Sequence, residues 1–320
     1  MHKGVIACSF LALSFTLAGC DILSGNPQNS DAGTAIQQAH WTDATARQLR
    51  EAIDRRAAHA LDRIEFVVEG RPGNTDGQQA LTRSALRYAA ALSRGASDPA
   101  KLYAIYTLPR PTTDLQRDLA EALAKGEVGK WLDSLAPQGD NYRKLSQAYL
   151  ALRKQDGRPL VEIPQGAEPL KPGATDPRVP AIAHQLAASD YLDRTAAQGE
   201  LYNPAMVRAV QRMQADYGID PDGVIGSEAL EILNLSDADK ARAIAVAMER
   251  LRWLDRTPPA TRIDVNLAAA RLTYWRDGKI ADSRKVVVGE PETETPQLGS
   301  PIYRLVANPT WTVPRSIQRK

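Results

Sequence analysis

The chain has 320 residues, 43% hydrophobic and 24% charged, which is room for two or three folded domains. Its formal net charge is +2, with lysines and arginines interleaved among acids, so an electrostatic nucleic-acid binder is excluded. Cys8 and Cys20 are the only cysteines, so beyond residue 20 there is no disulfide, no thiolate zinc site and no thiol nucleophile.

Residues 1–20, MHKGVIACSFLALSFTLAGC, carry Lys3, an apolar run to Ala18 and then small residues. This is the grammar of a secretory signal, too short for a comfortable transmembrane helix. The ending LAGC resembles the bacterial lipobox, which implies cleavage before Cys20 and a diacylglycerol on its thiol. With the new amine also acylated, several chains hold a protein on a bilayer far better than one. Asp21 resembles an inner-membrane retention signal of enteric-type bacteria. The expectation is a periplasm-facing lipoprotein of the bacterial cell envelope, with a signal peptide over 1–19 and a small, polar, flexible tether over 20–40. The alternative is an ordinary signal peptide in which Cys20 is incidental.

From Trp41 to about Gly157 the chain is rich in Ala and Leu at helical spacing. TDATARQLREAIDRRAAHAL opens with Thr42 and Asp43 as caps, and DGQQALTRSALRYAAALSRG closes at Gly95. TTDLQRDLAEALAKG and DNYRKLSQAYLALRKQDG repeat the pattern, the latter with Tyr142, Leu145, Tyr149 and Leu152 on one face. These stripes read as core. Residues 158–180 are dense in Pro and Gly and predict an extended crossing segment.

A compact helical unit follows. Asn203 is placed to cap a helix with Pro204 in its first position, Met206, Val210, Met213 and Tyr217 on the buried face, and Gly218 as its stop. IDPDGVIG predicts a tight loop with unusual backbone angles at Gly223 and Gly226. The short helix SEALEILN comes next, then a capping box, Ser236 with Asp239, heading a helix with Ala241, Ile244, Met248 and Leu251 on one face. After Pro258-Pro259 the period changes to two: Ile263, Val265 and Leu267 alternate with polar residues. ARLTYWRDGKIADSRKVVVG predicts a hairpin turning at Asp277-Gly278, PETETPQLGSP a loop, and IYRLVAN a further strand.

The residues show no complete active site. Asp220, Asp222 and Gly223 fail as a calcium loop, because the glycine comes at the fourth position and Pro221 separates the acids; a structural turn is expected. His2, His40, His59 and His184 lack metal-ligand spacing, and neither a G-x-S-x-G elbow nor a phosphate loop occurs. No metal and no cofactor are expected.

AVQRMQADYGIDPDGVIGSEALEILN, with Gln211 and Gln214 on its first helix, resembles the three-helix peptidoglycan-binding module. That resemblance implies contact with wall glycan or stem peptides, carried by Gln211, Gln214, Asp222, Gly223 and Gly226. The following residues, with the VN strand, the hairpin, VVVG, Thr295-Pro296 and NPTWTVPRSI, look like the opening of an L,D-transpeptidase catalytic domain. The resemblance to the large members of that family runs from roughly Ala120 to Lys320. It implies a multidomain α+β protein: a helical scaffold over 41–198, the binding module over 199–256, and the leading, incomplete part of a β-rich catalytic domain over 260–320. The family's nucleophile is a Cys in an S-H-G-C-x-R motif, preceded by a His, and both follow the N-P-x-W-x-V-P run. The resemblance therefore implies a fragment or a truncated product, inactive in itself, and transfers no catalytic residue; Asn308, Thr310 and Trp311 are candidates for a substrate-side loop. The implied partners are peptidoglycan and, through the lipid, the membrane. The alternatives are a non-catalytic peptidoglycan-binding envelope lipoprotein, and a wall amidase or carboxypeptidase, which the lack of a zinc-ligand cluster disfavours.

Overall fold

The computed structural model describes residues 40–155, 162–196, 199–290, 293–308, 310 and 313. Cys20, Asp21, the signal over 1–19 and all but the last residue of the 20–40 tether lie outside the described residues, as does Trp311. Among the described residues, no helix is long and apolar enough to cross a membrane.

Five helices lead: α1 (Asp43–Asp54), α2 (Thr75–Arg94), α3 (Leu115–Lys125), α4 (Val128–Leu135) and α5 (Asp140–Gln155). Their ends are fixed locally. Thr42 caps α1 through a reciprocal box with Thr45, Asn74 and Asp114 cap α2 and α3, and Gly126 ends α3 in the left-handed region that a side chain would resist. Leu49, Leu81 and Leu132 are fully buried, and Ala85 and Ala89 are small enough to let helices close on one another. Tyr88 donates its hydroxyl to the Ala52 carbonyl at 3.1 Å, so this core tyrosine leaves no polar atom unpaired. Tyr142 and Tyr149 are buried on α5, with Leu145 and Leu152 packed beside them, as the spacing predicts.

A second core starts at Ile163. It joins Leu170 with α6 (Val179–Ala188), α7 (Pro204–Tyr217) and α8 (Ser227–Leu233). Leu170 and Ile225 exchange both backbone hydrogen bonds, and the Asn234 amide clamps both the N–H and the C=O of Ile163 at 2.9 Å. Residues 162–180 are thus part of this core rather than a crossing segment, because Ile163, Leu170 and Val179 bury their side chains in it. Tyr217 does not complete the α7 face: it is 45% exposed, and the buried position near the helix end is taken by Gln214.

Helix α9 (Asp237–Trp253) begins with the capping box of Ser236 and Asp239. It then leaves the second core and packs against α5 and α2, burying Ala241 and Met248 in the first core with Ile244 and Leu251 alongside. The edges of the two cores therefore differ from boundaries at 198 and 256. The chain leaves the first core after α5, builds the second over 163–233, and returns as α9.

Three antiparallel strands follow in the order β1 (Arg262–Asn266), β2 (Arg271–Arg276), β3 (Lys279–Lys285). Asp277 and Gly278 both have positive φ, 51° and 75°, which makes the two-residue turn whose twist suits a hairpin. Ile263 faces Tyr274 and Val265 faces Leu272 across the ladder, so the alternation is real. Yet Ile263 and Val265 are 44% and 47% exposed, because no second layer among the described residues covers that face. Arg262 instead stacks its guanidinium 4.5 Å from the Trp275 ring centre. The strands expected at VVVG and IYRLVAN are not formed: β3 ends at Lys285, and Tyr303 and Leu305 stand in solvent. A strand persists only where a neighbouring backbone completes its ladder. Here the pairing is sporadic: Val286 N–H donates to the Ala270 carbonyl at 2.9 Å, and Gln297 makes an isolated parallel bridge to Tyr106, with Thr107 N–H donating to the Gln297 carbonyl at 2.9 Å.

Candidate functional site

The loop between α7 and α8 is organised around Gln214, which is 2% exposed. Its Nε2 donates to Asp222 Oδ1 at 2.9 Å and to the Val224 carbonyl at 3.0 Å, while its Oε1 accepts the Gly223 N–H at 2.8 Å. Gly223 has φ +75°, and a Cβ there would stand 2.9 Å from Val207 Cγ1, so both conformation and space call for glycine. Fully buried Tyr202 closes the loop from beneath by donating its hydroxyl to the Gly223 carbonyl at 2.7 Å. Burial pushes that phenol far above its ordinary range, so it stays a donor at any physiological pH.

Gln214, Asp222 and Gly223 are thus brought together, and Gln211 packs along the same glycine. Gly226 stands apart. It precedes α8 in ordinary extended backbone, not with the unusual angles expected of it, because the turn is already made at Gly223. The polar atoms of Gln214 are consumed in shaping the loop. Tyr202 escaped the sequence reading, although an aromatic residue directly before the Asn203 cap is a known anchor position.

On the β side, Asn308 adopts φ 48°, and Asn308 and Thr310 are exposed. Gln297 is held by the segment 105–107 instead of the sheet. That segment carries Tyr106, whose ring packs edge-on against Trp253 at 6.1 Å and stacks near Tyr103 at 6.2 Å. Gly289 N–H donates to Thr295 Oγ1 at 2.7 Å.

A third polar cluster was not anticipated. Arg252, 1% exposed, donates Nη1 to Tyr142 Oη at 2.7 Å and to the His59 carbonyl at 2.9 Å, and Nη2 to Glu249 Oε2 at 2.7 Å. Glu249 Oε1 accepts from the Ser97 N–H and hydroxyl and from Trp253 Nε1. Burial alone raises the Glu249 carboxyl, but the bond and charge of Arg252, with Ser97, outweigh it and leave it below its ordinary value. His59 Nδ1 lies 3.2 Å from Tyr142 Oη, and burial, then the Arg252 charge, lower its pKa to about 4. The cluster is interior and fastens α9 to the first core. Among the described residues, no three His, Cys, Asp or Glu side chains gather closely enough to hold a metal ion.

These features define a multidomain α+β protein: a helical body, a small helical module inserted against it, and a trailing antiparallel sheet. Comparison with family models gives the parts their likeness. Residues 36–148 match the Scaffold domain, residues 175–233 the peptidoglycan binding domain, and residues 260–320 the L,D-transpeptidase catalytic domain. The three matches agree with the resemblance drawn from the sequence, and together they support a cell-wall transpeptidase family with peptidoglycan as partner. No curated protein matches the chain.

Proposed function

We propose that the chain is the scaffold, wall-binding and leading β portion of an L,D-transpeptidase that crosslinks or remodels peptidoglycan. The observation that carries this is the succession of the three matched units on one chain, with the binding module anchored between two pieces of the helical body. In such chemistry a thiolate attacks the amide after the third stem-peptide residue, the terminal D-Ala leaves, and an acceptor amine resolves the thioester. Residues 21–320 contain no cysteine, so this chain supplies wall recognition and positioning but not the attacking thiol.

The expected result is that the 320-residue chain co-sediments with purified peptidoglycan and gives no stem-peptide exchange. Exchange activity in the isolated chain overturns the division of roles, and loss of co-sedimentation overturns the wall-binding function. The self-contained core of the module, from Ile163 to Leu233, also favours a second function, a non-catalytic wall-binding lipoprotein. Equal growth and crosslinking defects in a strain lacking the gene, against none in crosslinking, separate the two.

The anchor belongs to the same proposal: Cys20 takes the lipid and holds the chain to the envelope, with Asp21 directing it to the inner membrane. Labelled palmitate should enter the wild-type chain and be absent from Cys20→Ser. Equal labelling of the two rejects the anchor.

A further inference from the structure

We infer that residues 95–110, the connection between α2 and α3, are an interaction surface for the loop 289–299 of the trailing β unit, and that they couple this loop to the C-terminal end of α9. The inference goes beyond wall binding and does not rest on it.

The inner side of the connection is fastened to α9. Glu249 accepts from the Ser97 N–H at 2.8 Å and from its hydroxyl at 2.7 Å. Arg250 donates to the Tyr103 hydroxyl at 2.8 Å. Trp253 meets the rings of Tyr103 and Tyr106 edge-on, at 6.2 Å and 6.1 Å. Gly95 comes so near that a Cβ there would stand 2.6 Å from Trp253 Nε1. Arg110 closes the connection into a strap by donating to Asp98 and to the Arg94 carbonyl.

The outer side is a short strand edge, and the loop is seated on it. Around the Tyr106–Gln297 bridge, Thr107 N–H donates to the Gln297 carbonyl at 2.9 Å and Gln297 N–H to the Ile105 carbonyl at 3.2 Å. Gly299 continues the contact, since a Cβ there would lie 3.5 Å from Leu108 Cδ2 and 3.7 Å from Pro109 Cδ. This is strand addition, in which backbone recognises backbone. Two bonds at an exposed edge make a seat that opens and closes locally while the helical body stays folded.

Tyr106 joins the two sides. Its backbone pairs with Gln297 while its ring packs on Trp253, so a displacement at the end of α9 moves the edge offered to the loop. The Tyr106 hydroxyl is buried and, among the described residues, makes no hydrogen bond. The ring's packing therefore carries the coupling, not its polarity.

The test is backbone amide exchange by NMR on the full chain in detergent. Corrected for intrinsic rates, the Thr107 and Gln297 amides should exchange at least about tenfold more slowly than that of solvent-exposed Tyr303. Gln297→Pro removes one donor of the pair and should bring Thr107 close to the Tyr303 rate. Tyr106→Ala and Arg250→Ala should each speed exchange at both amides roughly fivefold, whereas Tyr106→Phe should leave them as in wild type. Amides inside α2 should be unchanged throughout. Arg250 is exposed, so its variant keeps the test decisive if Tyr106→Ala folds poorly. Exchange at Thr107 and Gln297 as fast as at Tyr303 in the wild-type chain overturns the interaction surface. Full protection in both Tyr106→Ala and Arg250→Ala overturns the coupling to α9.

Discussion

Arg252→Ala will lower the stability of the helical body by about 3–5 kcal/mol, the usual cost of removing one partner from a buried, hydrogen-bonded charge pair. The fork of Arg252 satisfies the His59 carbonyl, the Tyr142 hydroxyl and the Glu249 carboxylate at once. Its removal leaves the carbonyl without that donor and opens a void beside Met248 and Tyr142 in the first core. Glu249 keeps Ser97 and Trp253, which limits the damage on the carboxylate side. Arg252→Lys preserves charge but not the fork, so its loss should be intermediate. Urea unfolding followed by tryptophan fluorescence suits the question, since Trp41 and Trp253 are both buried in this body. A loss below about 1 kcal/mol for alanine would show that the cluster does not hold α9 in place.

Acid should weaken the same junction before the carboxylates titrate. His59 falls from an ordinary 6.5 to about 4 in the folded chain, because burial and then Arg252 oppose its charge, with Arg55 adding to the effect and Asp133 opposing it. Between those pH values the unfolded state binds a proton that the folded state refuses, so stability rises with pH there. The contribution is complete above about pH 6.5 and is lost as pH falls toward 4, amounting to roughly 3 kcal/mol at most. Glu249, held below its ordinary value, acts in the same direction further down: its share is present above the unfolded carboxylate range and fades as pH drops through the folded value. Stability measured from pH 7 to pH 4 should fall more steeply in wild type than in His59→Gln. Parallel slopes would remove His59 from the account.

What could be read from the sequence is what is decided locally. The caps at Thr42, Asn203 and Ser236, the stops at Gly95 and Gly218, and the Asp277-Gly278 turn each rest on a few adjacent residues, and each formed. Choice of partner was not legible. The stripe Ala241, Ile244, Met248, Leu251 announces a buried face but not whose core receives it, and α9 chose α5 over the module. Arg252 looks in sequence like any charge in a last helical turn; only the approach of His59 and Tyr142, far away in the chain, makes it interior. Gln214 had left a signal, since it follows Met206 and Val210 at helical steps on the apolar side, and the DGVIG loop it serves begins eight residues on. IYRLVAN is rich in strand-forming residues, but propensity supplies only the side chains and not the neighbouring backbone.

Helix α9 has a mechanical consequence. The module lies in the chain between α5 and α9, two helices that share the first core, so it is tied to one body at both of its ends rather than at one. The return path is a rod of 17 residues, about 25 Å long, that starts at the module and delivers the chain to β1. Each of its residues adds about 1.5 Å of length and about 100° of phase between the module and the point at Leu254 where the chain leaves the helix. The helix works as a strut: its length, together with its seating on α5 and α2, sets where the chain departs for residues 254–261 and the sheet beyond them.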